Sequence, residues 1–204
     1  HMANTTLYGV SGSRAIRSIW AIEEVGIEYE HVPVHFRNAS TDIDYLKVNP
    51  NGRIPALVDG DLVLCESMAI NLYLAKTYGG DLYPDNPADE AQAIQWSVWA
   101  ISEIEPVQMR AVIHKFFVPA DQQDPAVIEE AAKDLQRPLK VLDAHLAERQ
   151  YLLGDRFTIA DLNLSGVMLL LNMVGQDYSE HTQVKRWADA CYARPSLAAA
   201  QAKD

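Results

Sequence analysis

Residues 7–30 run LYGVSGSRAIRSIWAIEEVGIEYE, and their pattern sets the architecture of the first part of the chain. Thr5–Val10 is a short strand-forming run that ends in Ser11-Gly12-Ser13, a polar break. From Arg14 to Val25 the apolar residues Ile16, Ile19, Trp20 and Ile22 share one side while Glu23-Glu24 stay outside, which predicts a helix. Gly26 supplies a helix stop, and Ile27–Val34 returns to strand character.

Residues 35–53 are polar with a short helical piece near Asp42–Val48. Ala56–Val58 and Leu62–Cys65 read as strands joined by an Asp59-Gly60-Asp61 turn. Ser67–Tyr78 reads as a helix with Ser67 as its N-cap and Gly79-Gly80 as its stop. The order is β-α-β-(α)-β-β-α. GGDLYPDNPA (79–88) has the turn chemistry of a linker, and the rest has a helical pattern. Ala88–Val118 is expected to form one segment bent at Pro106. Asp124-Pro125 is an N-cap followed by proline at the first helical position; it opens a stripe of Ile128, Ala132, Leu135, Leu139, Leu142 and Leu146, kinked at Pro138. Thr158 and Asp161 have capping-box spacing, with Asp in place of Glu. The helix they open is apolar nearly all round and should centre the second half. A further helix is expected over Gln183–Ala193, ended by Pro195. The expected division is an α/β domain over 3–80, a linker over 81–88 and an all-helical domain over 89–204.

Composition limits the partners. Of 204 residues, 49% are hydrophobic and 22% charged, an ordinary globular mix. Lys plus Arg total 17 against 28 Asp plus Glu, a formal charge of −11, which argues against a nucleic-acid or anionic-membrane surface as main partner. A small anion needs only one local cradle. Cys65 and Cys191 are far apart and no CxxC occurs, so neither a disulfide framework nor a dithiol site is expected. The leading His1-Met2 reads as a cloning remnant, and no signal peptide follows it. Phe157–Val174 is the most apolar run, but Asp161, Asn163, Ser165 and Asn172 within it predict a buried helix and not a membrane span. The expectation is a soluble, cytoplasmic protein.

Among chemical signatures, GxSxG, GxGxxG, the P-loop and HExxH are missing. The six histidines show no pairing on a helix face, so no metal site is expected. What remains is a pair of helix starts and the Ile54-Pro55 bond. Ser13 precedes the first helix; it reads either as a simple N-cap or as a hydroxyl aimed, with the helix N–H groups, at a thiolate or phosphate. Glu66-Ser67 precedes the later helix and reads either as good dipole chemistry or as a carboxylate-binding site. Pro55 suits the first residue of a strand, with the isomer of its peptide bond left open.

Together, LYGVSGSRAIRSIWAIEEVGIEYE (7–30), NPNGRIPAL (49–57), CESMAINLYLAKTYG (65–79) and GDRFTIADLNL (154–164) resemble the glutathione S-transferase family, in its cytosolic, bacterial form with a serine-type loop. The resemblance spans nearly the whole chain. It implies a thioredoxin-like N-terminal domain followed by a helical-bundle C-terminal domain. It implies glutathione as substrate, with the γ-glutamyl carboxylate at Ser67, Glu66 orienting that end, the backbone of Ile54 before cis-Pro55 pairing with the cysteinyl backbone, and Arg53 reaching the glycyl end. Ser13 would donate to the sulfur, with Ser11 and Tyr8 as alternates. It further implies a small hydrophobic electrophile in a pocket drawn from Val10, Trp99, Ser102, Val107, Arg110 and His114, a homodimer, and Glu103 reaching the partner's glutathione. The loop has no cysteine, unlike the cysteine-based reductases of the family, and no Ser-Ser-Cys run, unlike its isomerase-type members. The leading expectation is a transferase that activates the glutathione thiol. Glutathione-dependent disulfide or peroxide reduction, and a non-catalytic ligand-binding protein on the same fold, are the alternatives.

Overall fold

The computed structural model describes residues 4–204, and the leading His1-Met2 lies outside the described residues. The chain forms two compact units, one containing the residues up to Asp85 together with Ala193–Asp204, the other Asn86–Tyr192.

In the first unit the order is β1 (Thr5–Tyr8), α1 (Ile16–Val25), β2 (Glu30–Val32), α2 (Ile43–Val48), β3 (Ala56–Asp59), β4 (Leu62–Cys65) and α3 (Ser67–Tyr78). The sheet order is β2-β1-β3-β4, with β1 parallel to β2 and the other two pairings antiparallel. This is the thioredoxin-like arrangement. Leu7, Ile19, Trp20, Ile22, Leu57, Ile70 and Leu74 are fully buried, so α1 turns Ile19, Trp20 and Ile22 inward as the spacing predicts, and α3 contributes Ile70 and Leu74 to the same core. β2 is shorter than the Ile27–Val34 run: it starts at Glu30 and ends at Val32, just before Pro33, which has no N–H to donate. α1 begins at Ile16, after a turn in which the Ala15 N–H donates to Ser13 Oγ (3.0 Å). Asp42 caps α2 through the N–H groups of Asp44 and Tyr45. At α3 the N-cap is Glu66, and Ser67 is the first helical residue.

The second unit is helical: α4 (Pro87–Trp99), α5 (Glu105–Phe117), α6 (Pro125–Asp134), α7 (Gln136–Leu146), α8 (Ile159–Met173) and α9 (Thr182–Tyr192). The expected bend at Pro106 takes the form of a π turn over Ala100–Ile104: proline lacks the N–H that would bond the Ser102 carbonyl, and the ladder slips by one residue. Pro138 acts in the same way on the carbonyl of Asp134, splitting the long stripe into α6 and α7 at Leu135. α8 is the centre, with Ile159, Leu162, Leu164, Val167, Met168 and Leu171 fully buried. Its capping box is formed as the spacing predicts. Asp161 also accepts from Leu152 N (2.8 Å) and Trp187 Nε1 (2.8 Å), tying α9 and the preceding loop to α8.

Pro195 was expected to end the last helix. It instead occupies the first turn of α10 (Pro195–Gln201), a position for which its fixed φ is suited. α10 packs on α1 in the first unit, where Trp20 Nε1 donates to Ser196 Oγ (2.9 Å) and Arg194 pairs with Glu24. Cys65 and Cys191 are both free thiols. Among the described residues no helix is long and apolar enough to cross a membrane.

Candidate functional site

The strand register brings the candidate segments to one end of the sheet. Tyr8 lies opposite Ala56, and Ala56 lies opposite Cys65. The Gly9–Ser13 loop therefore leaves β1 beside the point where Ile54-Pro55 enters β3, and Glu66-Ser67 follows β4 beside the same point. At about 4.8 Å between neighbouring strands, the three segments lie across roughly 10 Å.

The loop is held firmly at its start. Gly9 N donates to Val32 O (2.9 Å), Val10 N to Val34 O (3.0 Å), and His31 Nε2 to Gly9 O (2.6 Å). Gly9 has φ +132°, and a Cβ there would lie 2.5 Å from Ala15 Cβ and 3.2 Å from Ile54 Cβ. Only glycine lets the loop pass between the start of α1 and Ile54. Beyond it, Ser13 Oγ donates to Val10 O (2.7 Å) while accepting from Ala15 N (3.0 Å). The Ser13 hydroxyl thus closes its own turn. Ser11 N donates to both carboxylate oxygens of Asp204, at 2.8 and 3.1 Å. The Tyr8 ring leans on that of Tyr45, with centroids 5.7 Å apart.

The next segment is built on a carbonyl. Arg53 O accepts from Tyr45 Oη and from Asn49 Nδ2 (2.8 Å). Asn49 is buried, and its own Oδ1 accepts from Asn51 N (3.1 Å). Burial pushes the Tyr45 hydroxyl up to about 12, so it remains a donor through the ordinary pH range. This clamp delivers Ile54 and the Ile54–Pro55 bond, which is cis. Ile54 and Pro55 are buried, whereas the Arg53 side chain is exposed. Tyr45 and Asn49 were missed by the reading of side-chain chemistry; Asn49 stands in the quoted NPNGRIPAL stretch, but nothing in that string shows that it holds a backbone atom.

Glu66 has φ +73°, the one positive φ at a non-glycine among the described residues. A left-handed β-carbon-bearing residue is strained, and such strain collects where a backbone must point in a required direction. Here it swings the chain from β4 into α3 within one residue. Ser67 sits buried at the helix start and the Glu66 carboxyl lies exposed beside it. The first turn of α3 therefore offers N–H groups and a partial positive charge at the sheet end, with one anionic side chain next to them.

The second-pocket candidates divide between the units. Val10, half-buried, belongs to the loop. In the helical unit the Trp99 ring meets Trp96 edge to face at 5.2 Å, Ser102 sits exposed in the π turn, and Val107 is half-buried on α5. Arg110 pairs with Asp134 (2.6 Å), and His114 Nε2 accepts from Asp124 N (2.7 Å), so these two side chains stitch α5 to α6. Glu103 pairs with Arg137. Among the described residues, no group of three or more His, Cys, Asp or Glu side chains is arranged to hold a metal ion.

The chain matches two family models: glutathione S-transferase, N-terminal domain, over residues 3–76, and glutathione S-transferase, C-terminal domain, over residues 107–195. Glutathione S-transferase 3 of Zea mays is 37% identical over 211 residues, covering 96% of this chain and 92% of the relative. Glutathione S-transferase GstB of Escherichia coli (strain K12) is 30% identical, covering 94% of this chain and 95% of the relative. The theta class glutathione S-transferase of Xanthomonas axonopodis pv. citri, solved with glutathione bound, superposes with a TM-score of 0.90 at 29% identity, over 100% of this chain and 99% of that one. A glutathione S-transferase-I structure bound with lactoylglutathione gives a TM-score of 0.87 at 31% identity, over 98% of this chain and 99% of that one. With both family models matched and relatives aligned along nearly their full length, the chain belongs to the glutathione S-transferase family.

Proposed function

We propose that the chain binds glutathione at the sheet end of its first unit and activates the thiol for attack on a small hydrophobic electrophile. The observation that carries this reading is the alignment of the Ser11–Ser13 loop, the Ile54–Pro55 segment and the start of α3 across adjacent strands. Three extended residues reach roughly 10 Å, the width of those three segments. The relatives solved with glutathione or lactoylglutathione bound support the same ligand.

In this assignment the γ-glutamyl carboxylate takes the N–H groups at Ser67, where the helix start favours an anion. Glu66 faces the ammonium at that end. The Ile54 backbone, fixed through the doubly held Arg53 carbonyl, pairs with the cysteinyl backbone, and Arg53 reaches the glycyl carboxylate. The sulfur lies at the loop. Ser13 donates to it once its hydroxyl turns from Val10 O; Ser11 and Tyr8 remain the alternates. A thiol of pKa about 8.5 is only a few per cent ionised at neutral pH, and each unit of depression corresponds to about 1.36 kcal/mol of preference for the thiolate. The thiol releases its proton to water. The thiolate then forms the carbon–sulfur bond as the leaving group departs with its electron pair, or as electrons shift into an acceptor double bond. Val10, Trp99, Ser102 and Val107 suit an apolar acceptor; Arg110 and His114 would serve mainly by holding α5 and α6 in place. We place the domain division at 3–80, 81–88 and 89–204, with α10 returning to the first unit, and the protein in the cytoplasm.

We also propose a homodimer. Ile94, Val98 and Ile101 are 43%, 60% and 39% exposed along one side of α4 and the following π turn, and Val63 on the sheet-edge strand is 50% exposed. Apolar residues in such a stripe are a surface for a second copy. The test of function is retention on immobilised glutathione, then turnover of a chloronitrobenzene acceptor and, separately, of hydroxyethyl disulfide. Conjugation of the aromatic acceptor supports the proposal. Turnover of the disulfide alone would replace it with a reductase, and absence of retention would replace it with a non-catalytic protein.

A further inference from the structure

The contact between Asp204 and the Ser11 amide joins two points 193 residues apart in the chain. It is the last of a series of tail contacts on the first unit. Arg194 and Ser196 both donate to the Glu24 carboxylate, and Ser196 accepts from Trp20 (2.9 Å). Leu197 and Ala200 bury the inner side of α10. Lys203 Nζ lies 3.4 Å from Glu23 Oε1 and 4.8 Å from the centroid of the Tyr29 ring. This anchoring presents the Asp204 carboxylate, itself exposed, to the loop, where both its oxygens take the one N–H of Ser11.

That N–H stands two residues from Ser13, whose hydroxyl hydrogen is given to Val10 O. Both of these loop donors are therefore engaged by acceptors from the chain itself. A backbone N–H directed at one carboxylate cannot serve a second anion. Of the two internal acceptors, the exposed Asp204 side chain is the easier to displace, because water replaces it at little loss, whereas the Val10–Ser13 bond closes the turn that leads into α1. The geometry points to Asp204 as a self-inhibitory latch: its carboxylate occupies the loop amide that an incoming thiolate competes for, and it withdraws when glutathione binds. This inference rests on the glutathione reading of the loop and adds to it a residue outside every motif quoted above.

The test is direct calorimetric binding of glutathione to the full chain and to Asp204→Ala and Asp204→Glu, with amide exchange of Ser11 followed in the unliganded proteins by NMR. Removing the carboxylate should tighten glutathione roughly three- to tenfold, the net worth of one ordinary hydrogen bond, since solvent screens this exposed contact. The same change should speed exchange at Ser11. Asp204→Glu keeps the carboxylate and should bind within about twofold of the parent chain. A residue that merely stabilised the fold would lower thermal stability when removed without tightening the ligand. Measurable binding that is equal or weaker in Asp204→Ala overturns the latch while leaving the glutathione reading intact. Absence of binding by both the parent chain and the variant overturns the glutathione reading and the latch with it.

Discussion

Replacing Asp161 by alanine should destabilise the helical unit severely while leaving glutathione recognition nearly unchanged. The carboxylate is fully buried and accepts from three N–H groups, those of Leu152 (2.8 Å), Thr158 (2.9 Å) and Trp187 Nε1 (2.8 Å). Each buried donor left without an acceptor costs about 1–3 kcal/mol, and with partial relaxation the sum is about 4 kcal/mol. For a chain of this size that corresponds to a fall in Tm of about 8–16 °C. Burial pushes the Asp161 carboxyl up to about 6, with hydrogen bonds from Leu152, Thr158 and Trp187 opposing the shift. The unfolded value is about 3.9, so the native state binds the proton more tightly. The stability linked to that proton is full below about pH 4 and is lost as pH rises through about 6. The destabilisation caused by Asp161→Ala should therefore be larger at pH 4 than at pH 7. Denaturant unfolding across that range, with glutathione KM measured alongside, is the assay. A loss under about 1 kcal/mol, or a loss that grows from pH 4 to pH 7, would refute the reasoning.

Gly9→Ala should lower stability by roughly 2–3 kcal/mol, since the new Cβ would lie 2.5 Å from Ala15 Cβ at a φ of +132°; unfolding in urea measures it, and a near-neutral result would contradict the tight passage of the loop. Glutathione affinity should fall in the same variant, because the loop and Ile54 are displaced together. Val98→Asp, at a position 60% exposed, should leave the monomer fold intact and convert the proposed dimer to monomer in light scattering; a variant that stays dimeric would move the interface elsewhere, and a monomeric parent chain would remove it. In Ser13→Ala, kcat with an aromatic acceptor should drop by about 10²-fold or more while glutathione still binds, and full activity would pass the role to Ser11 or Tyr8.

The order of elements was legible because each rests on a local signal. The apolar spacing of Ile16, Ile19, Trp20 and Ile22 places α1, and Gly26 stops it at φ +75°. Asp42 and Asp124 cap their helices, and Thr158 with Asp161 closes the capping box. Features determined by atoms distant in sequence were not legible. The φ of Glu66 follows from the need to turn from β4 into α3, a requirement of packing that no propensity encodes. Pro195 carries the same character as a helix stop or a helix start, and α10 forms because α1 offers it a surface. Pro106 and Pro138 were recognised as disturbances, but whether proline gives a bend, a π turn or a full break depends on the surrounding packing. For the site, the residues named from the motifs lie where three strand ends meet, while Tyr45, Asn49 and Asp204 act through backbone atoms of other residues and leave no mark in a motif.

If the site activates glutathione as proposed, the bound thiol ionises at lower pH than the free one. This is tested most directly by the ultraviolet absorbance of the thiolate, recorded for the protein–glutathione complex across a pH titration. The expected midpoint lies one to two pH units below the free-thiol value of about 8.5 and moves back toward it in Ser13→Ala. A midpoint indistinguishable from that of free glutathione, at saturating occupancy of the site, would contradict it.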